Sequence, residues 1–411
     1  MSQILFRNFS LLDPRWDEAR GGYEVLVEGD TIKEVSSKPI KSREARVIDG
    51  GKRTLMPGLI DSHVHVFLTE VNIRHLEAIP LTLLTAKSAE LMRGMIDRGF
   101  TTVRDTGGAD WGIKTAVETG LIPGPRLFIS AKAIGPTGGH SDSRRRTDQG
   151  ASCGCCNAMV YCMAVADGAD EVRKLVREQM RQGADQVKIM CSGGVASPYD
   201  PLDSLQFSEA EIAAATDEAK NFGRYVLAHA YSPEAITRAM NNGVRTIEHG
   251  NLIDDKAARL IKSKGGYLIA NLVTYFSMKE RAAQFGMTAE MLAKNDIVLD
   301  GALRSLEICK RAGVKVGYGT DLLGALQVDQ SLEFIHRAKV LKPIEIIRQA
   351  TLVGAEIVQQ EGKLGVIKAG AYADMIAIDG DPLKKLELFL GQGKHMPMIM
   401  KAGKFHKNGL K

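Results

Sequence analysis

Apolar positions in the middle of the chain recur in two alternating rhythms. Short runs rich in β-branched residues (GLIDSHVHV, TTVRDTGG, RLFISAKAIG, QVKIMCSGG, YVLAHAYS, TIEHGN, YLIANLVT and KVGYGTDLL) are separated by stretches whose apolar residues fall at helical spacing. Eight runs alternating with helices predict an α/β fold, a closed parallel (β/α)8 TIM-type barrel spanning 57–356. Local signals agree. Ser208 followed by Glu211 forms a capping box, Ser232 precedes a first-turn Pro233, and Gly243 stands where that helix should stop.

The two ends share another pattern. Residues 1–56 read as short strands with Gly and Asp turns, YEVLVEG alternating cleanly, and a small antiparallel sheet is expected there. Residues 357–411 repeat that character in KLGVIKAGAYADMIAIDGDP and HMPMIMKAGKFHKNG, so the two ends could build one satellite sheet.

Composition narrows the class. With 411 residues the chain can bury a barrel-sized core plus a smaller unit. The 54 basic and 49 acidic residues are spread out, which argues against a nucleic-acid partner. No apolar run approaches the ~18 residues of a membrane span, and the N-terminus lacks a secretory pattern, so a cytoplasmic location is expected. Of six cysteines, Cys153, Cys155, Cys156 and Cys162 cluster at spacings unlike structural zinc sites and are read as reduced thiols.

Candidate chemistry sits at or near the C-terminal ends of the runs, the functional face of a parallel barrel. His63 and His65, two apart on a strand, face the same way and can share one ion. His229 and His249 close the fifth and sixth runs as neutral-imidazole donors suited to zinc. Lys188 ends the fourth run. As a cation it repels metal, but it could become a ligand by reacting with carbon dioxide to give an anionic carbamate; otherwise it snorkels from the rim or meets a substrate carboxylate. Asp321, in GYGTDLL, can ligate an ion and take a proton from bound water, or cap the next helix. His75, His336, His395 and His406 fall in helical or peripheral stretches and are read as surface or core residues.

Together, MPGLIDSHVH, the strand-four lysine, the two later histidines and GTD resemble the amidohydrolase superfamily along essentially the whole chain. The resemblance implies a composite β-sandwich from 1–56 and 357–411, and two divalent ions, zinc being the expected metal. His63, His65 and Asp321 would hold one ion, His229 and His249 the other, and carboxylated Lys188 would bridge them. Such a pair acidifies a shared water and polarises a carbonyl. Asp321 would then act as base and acid.

GPTGGHSDSRRR and HAYS resemble a narrower subgroup, metal-dependent dipeptidases and carboxypeptidases including prolidases. That resemblance implies that His140 and Tyr231 hold the substrate's C-terminal carboxylate and polarised carbonyl; the alternatives are a polar loop histidine and a packed aromatic. The expected substrate is a dipeptide or N-acyl amino acid, of Xaa-Pro type, and a homo-oligomer is expected. An acid among Asp142, Asp148 and Asp200 facing the leaving residue would instead favour Arg or Lys. Arg144, Arg145 and Arg146 read as a solvated charge run. Two competing readings are a mononuclear deaminase or imidazolonepropionase-like hydrolase, which Lys188 argues against, and a non-catalytic scaffold, which the complete ligand set argues against.

Overall fold

The computed structural model describes residues 3–144, 146–148, 159–197, 199–281, 284 and 287–410. Arg145, Cys153, Cys155 and Cys156 lie outside them. Among the described residues no helix is long and apolar enough to cross a membrane.

All eight apolar runs form parallel strands: Leu59–Val64, Phe100–Asp105, Arg126–Ile129 continuing as Ala133–Gly135, Val187–Met190, Val226–Ala230, Thr246–His249, Tyr267–Asn271 and Lys315–Gly319. Most of these strands are buried along their whole length, as expected when helices cover a parallel sheet. The third is interrupted at Ser130–Lys132, where Ala131 takes a positive φ of 55°. Its first half pairs with Phe100–Asp105 and its second with Val187–Met190 and with a further short strand, Met163–Val165, so the strands divide into a three-stranded and a seven-stranded sheet joined through this break. At the other margin, the amides of Thr320 and Asp321 donate to His63 O (3.2 and 2.9 Å), tying the end of the last strand to the end of the first.

The helices start where their caps dictate. Ser208 and Glu211 make the reciprocal capping box of Glu209–Asn221, and Ser232 caps Pro233–Asn241, after which Gly243 sits at φ 88°. The long helix Ala289–Ala312 begins at Thr288 and ends at left-handed Gly313.

The terminal segments share one sheet of eight strands. Gln3–Leu11 pairs antiparallel with Arg20–Glu28, and Thr54–Pro57 pairs antiparallel with Met375–Ile378 from the C-terminal segment. The sheet is mixed rather than purely antiparallel, because Arg46–Asp49 and Thr54–Pro57 both return alongside Gln3–Leu11 in its own direction. Its apolar face buries Phe6, Phe9, Ile48, Met375, Met398 and Met400.

Candidate metal centre

The six residues expected as ligands line one cleft of about 690 Å³, part of it open to solvent. Its apolar wall comes from Leu68, Ile73, Met163, Val195, Met278 and Leu323. His75, His336, His395 and His406 do not line it.

Ligand atoms of His63, His249 and Asp321 all lie within 4.8 Å of one another, a group able to hold a metal ion. Asp321 Oδ1 is 3.2 Å from His65 Nε2 and 3.4 Å from His63 Nε2, and Oδ2 is 3.8 Å from His249 Nδ1. Asp321 therefore does not cap the following turn, which starts at Leu323. His229 stands beside the group, its ring 4.5 Å from that of His249, with Nε2 turned to Gly193 O at 3.0 Å. Lys188 occupies the second position of its strand rather than the end. Its long stem still carries it to the cleft, where it is 2% exposed.

Backbone conformation aims two of these residues. His249 (φ 72°) and Asp321 (φ 51°) adopt the left-handed region, costly for non-glycine residues and typical of positions where strain is held for function.

At His229, His249 and Asp321 the protonation pattern suits a cation, whereas burial pulls the His65 imidazole down but Asp321 outweighs it and raises it above its ordinary value. Burial, followed by the neighbouring histidines, holds His229 and, with Lys188, His249 well below the ordinary imidazole range, so both are neutral donors. Burial pushes Asp321 up, but the surrounding histidines outweigh it and keep the carboxylate well below its ordinary range. Burial pulls the Lys188 amine down to about 8, against the pull of Glu248 and Asp321.

His63 gives the sharpest sign that the group fits a metal. Its Nδ1 is bound to Glu248 Oε2 at 2.6 Å, while Nε2 is buried and makes no hydrogen bond. A buried imidazole nitrogen oriented by a carboxylate on the opposite nitrogen is the usual dress of a metal-ligating histidine. The sequence reading missed Glu248 and its partner Arg104. Arg104 NH2 donates to both Glu248 oxygens at 2.8 Å, and its Nε donates to Ser62 O at 2.6 Å. Burial raises Glu248, but Arg104 and the His63 hydrogen bond hold it at about 2. The one available signal was two charged residues inside apolar strands, Arg104 in TTVRD and Glu248 in TIEH.

His140 and Tyr231 also reach the cleft. The His140 ring stacks on His229 at 4.5 Å and 25°, and its Nδ1 is 2.6 Å from Ser197 Oγ. Tyr231 lies one residue beyond its strand but still packs 4.8 Å from His229. Its hydroxyl bonds Tyr275 OH at 2.9 Å, and Tyr275 OH is 3.1 Å from His249 Nδ1, which makes Tyr275 a third site residue the sequence reading missed.

The acids proposed for the leaving-residue pocket are largely spoken for. Asp142 pairs with Arg144, and buried Asp200 accepts from Gly194 N and Gln206 Nε2 while lying 3.6 Å from His140 Nδ1. Arg144 is thus no free cation, and Arg146 lies over the Tyr199 ring at 5.0 Å. Cys162 lines the cleft as a free thiol that burial, then Asp105, pushes up to about 12.

Comparison with known proteins places this arrangement. The chain is 30% identical over 366 residues to ochratoxinase of Aspergillus niger, covering 86% of this chain and 75% of that protein. A crystal structure of an amidohydrolase superposes with a TM-score of 0.97 at 51% identity, covering both chains completely. A prolidase complexed with N-methylphosphonate-L-proline superposes with a TM-score of 0.97 at 44% identity, over 99% of this chain and 100% of that one. The model of the Amidohydrolase family matches residues 54–405, and the chain belongs to that family as a hydrolase of amide bonds.

Proposed function

We propose that this enzyme is a binuclear metal-dependent dipeptidase of prolidase type, releasing proline from Xaa-Pro dipeptides or N-acyl-proline. The observation that carries the reading is the group of buried His63 and His249 with half-buried Asp321, with His65, His229 and Lys188 facing the same cleft. In the proposed arrangement the parallel strands close as a (β/α)8 barrel beside the terminal sheet. His63, His65 and Asp321 would hold one ion and His229 and His249 a second, with Lys188, if carboxylated on Nζ, as the ligand they would share. An amine drawn down to about 8 is more readily deprotonated, and the neutral amine is the nucleophile that would attack carbon dioxide and lose a proton to form the carbamate. The placement of Lys188 in the cleft among the histidines also favours this reading over a mononuclear deaminase.

When bound, the ions polarise the scissile carbonyl and acidify a water. The protein does the rest. Asp321, ionised at neutral pH, takes the proton from the attacking water and delivers it to the departing proline nitrogen. His140 and the Tyr231 hydroxyl orient the substrate's carboxylate and carbonyl, which confines the amide to one approach.

Two observations support proline over Arg or Lys as the leaving residue. The cleft wall is mostly apolar, and Asp142 is paired with Arg144 while Asp200 is buried with its Oδ2 accepting from Gly194 N and Gln206 Nε2. The likeness to a prolidase bound to a proline phosphonate points the same way.

The test is a screen of zinc-loaded protein against dipeptide and N-acyl amino acid libraries, read by the released amino acid, with metal content measured alongside. Proline release with two metals per chain is expected. Exclusive release of Arg or Lys would overturn the substrate assignment, and full activity with one metal would overturn the binuclear one.

A further inference from the structure

A buried lysine outside the ligand group organises the wall on which His140 rests. Lys294, on the first turns of the helix Ala289–Ala312, is 9% exposed, and its Nζ donates to three main-chain carbonyls of the loop after the fourth barrel strand. They are Asp200 O at 2.7 Å, Ser197 O at 2.9 Å and Gly194 O at 3.4 Å. An ammonium has three protons and no acceptor, so this triad uses its full donor capacity and draws three points of one loop towards a single centre.

Those same three residues touch or flank His140. Ser197 Oγ is 2.6 Å from His140 Nδ1, and Asp200 Oδ2 lies 3.6 Å from the same nitrogen. At Gly194 an added Cβ would fall 2.0 Å from His140 Cε1, so the loop lies flat against the imidazole and only glycine permits the approach. Gln206 completes the frame, its Oε1 accepting from His140 N at 2.8 Å and its Nε2 donating to Asp200 Oδ2 at 3.0 Å. With Nδ1 committed to the loop, Nε2 is the ring nitrogen left for a ligand in the cleft. Val195 and Ala196, between the clamped carbonyls, form part of the cleft wall.

We propose that Lys294 is a positioning residue for substrate binding, clamping the Gly194–Ser197–Asp200 loop so that His140 is held with Nδ1 on the loop and Nε2 towards the substrate. The proposal rests on the reading of His140 as a substrate contact. Lys294 does not touch the ligand group. Losing it should therefore loosen substrate binding and leave metal content and the chemical step in place, a pattern that a purely structural lysine would not give.

The experiment is a kinetic double-mutant cycle on the zinc-loaded enzyme with an Xaa-Pro substrate, using Lys294→Met, Ser197→Ala and His140→Asn. Expected are a KM raised about tenfold by Lys294→Met and several-fold by Ser197→Ala, with kcat within about twofold and metal content unchanged. Because residues in one network are not additive, either change added to His140→Asn should raise KM no further. An equal KM increase from Lys294→Met in wild-type and His140→Asn backgrounds would overturn the proposal while leaving His140 as a substrate contact. No KM effect from His140→Asn alone would remove that contact, and the failure would then belong to the proposed function. Should Lys294→Met fail to fold, Ser197→Ala decides within the same cycle.

Discussion

The Arg104–Glu248 pair allows fold stability and metal affinity to be separated. Both side chains are fully buried, and Glu248 divides its carboxylate between Arg104 and His63 Nδ1. Arg104→Met leaves a buried carboxylate without its cation, and Glu248→Gln leaves a buried guanidinium without its anion. Breaking a buried pair from one side costs about 3–5 kcal/mol, whereas replacing both partners with apolar residues of similar volume is often neutral. The double variant Arg104→Met/Glu248→Leu should therefore recover most of the stability lost by either single change. It should not recover metal affinity, because His63 Nδ1 has lost the acceptor that fixes its tautomer, and losses of this kind run to about 10–100-fold. Urea unfolding of metal-free protein measures stability without the contribution of bound ligand, and chelator competition measures zinc affinity. Wild-type zinc affinity in the double variant would refute the role assigned to Glu248. A double variant as unstable as the single ones would refute the charge-burial account.

Two further outcomes follow from single residues. Asp321→Asn should lower kcat by about 10²–10⁴-fold, the usual worth of a positioned acid–base group. Because asparagine tolerates left-handed φ as aspartate does, a cooperative unfolding curve like that of wild type is also expected, and unchanged turnover would remove Asp321 as the proton carrier. His336 is stacked under Phe276 at 4.0 Å, and burial, then Lys339, pulls its imidazole down to about 4. The folded state therefore prefers the neutral ring. That contribution is complete above the ordinary value near 6.5 and is lost as pH falls through about 4, so His336→Phe should flatten the decline of the urea midpoint over that window.

The residues legible in the sequence are those whose role depends on local geometry. A two-residue period put His63 and His65 on one face, and His65 does share the cleft with His63 although it lies one residue past the strand Leu59–Val64; a three-residue spacing gave the capping box at Ser208. What escaped notice depends on neighbours that no local pattern names. Arg104 and Glu248 come from the second and sixth strands, and a charge inside an apolar run shows its partner only when the strands are assembled. Asp200 read as a possible pocket acid because its loop lies above the cleft, yet donors from Gly194 and Gln206 turn it inwards. Lys294 looks like any lysine of an amphipathic helix until the loop from strand four wraps over it. The strained φ angles at His249 and Asp321 belong to the same class. Neither residue is a glycine, so nothing in the sequence marks the left-handed turn, and such strain persists only where the surroundings over-determine it. Here they do: Asp321 N donates to His63 O, and the following Gly250 N donates to Ala230 O, binding each strained residue or its neighbour to another strand of the site. The backbone that carries the candidate ligands is thus held by the same strands that carry the other candidates, which is why the geometry of the group appears only with the complete fold.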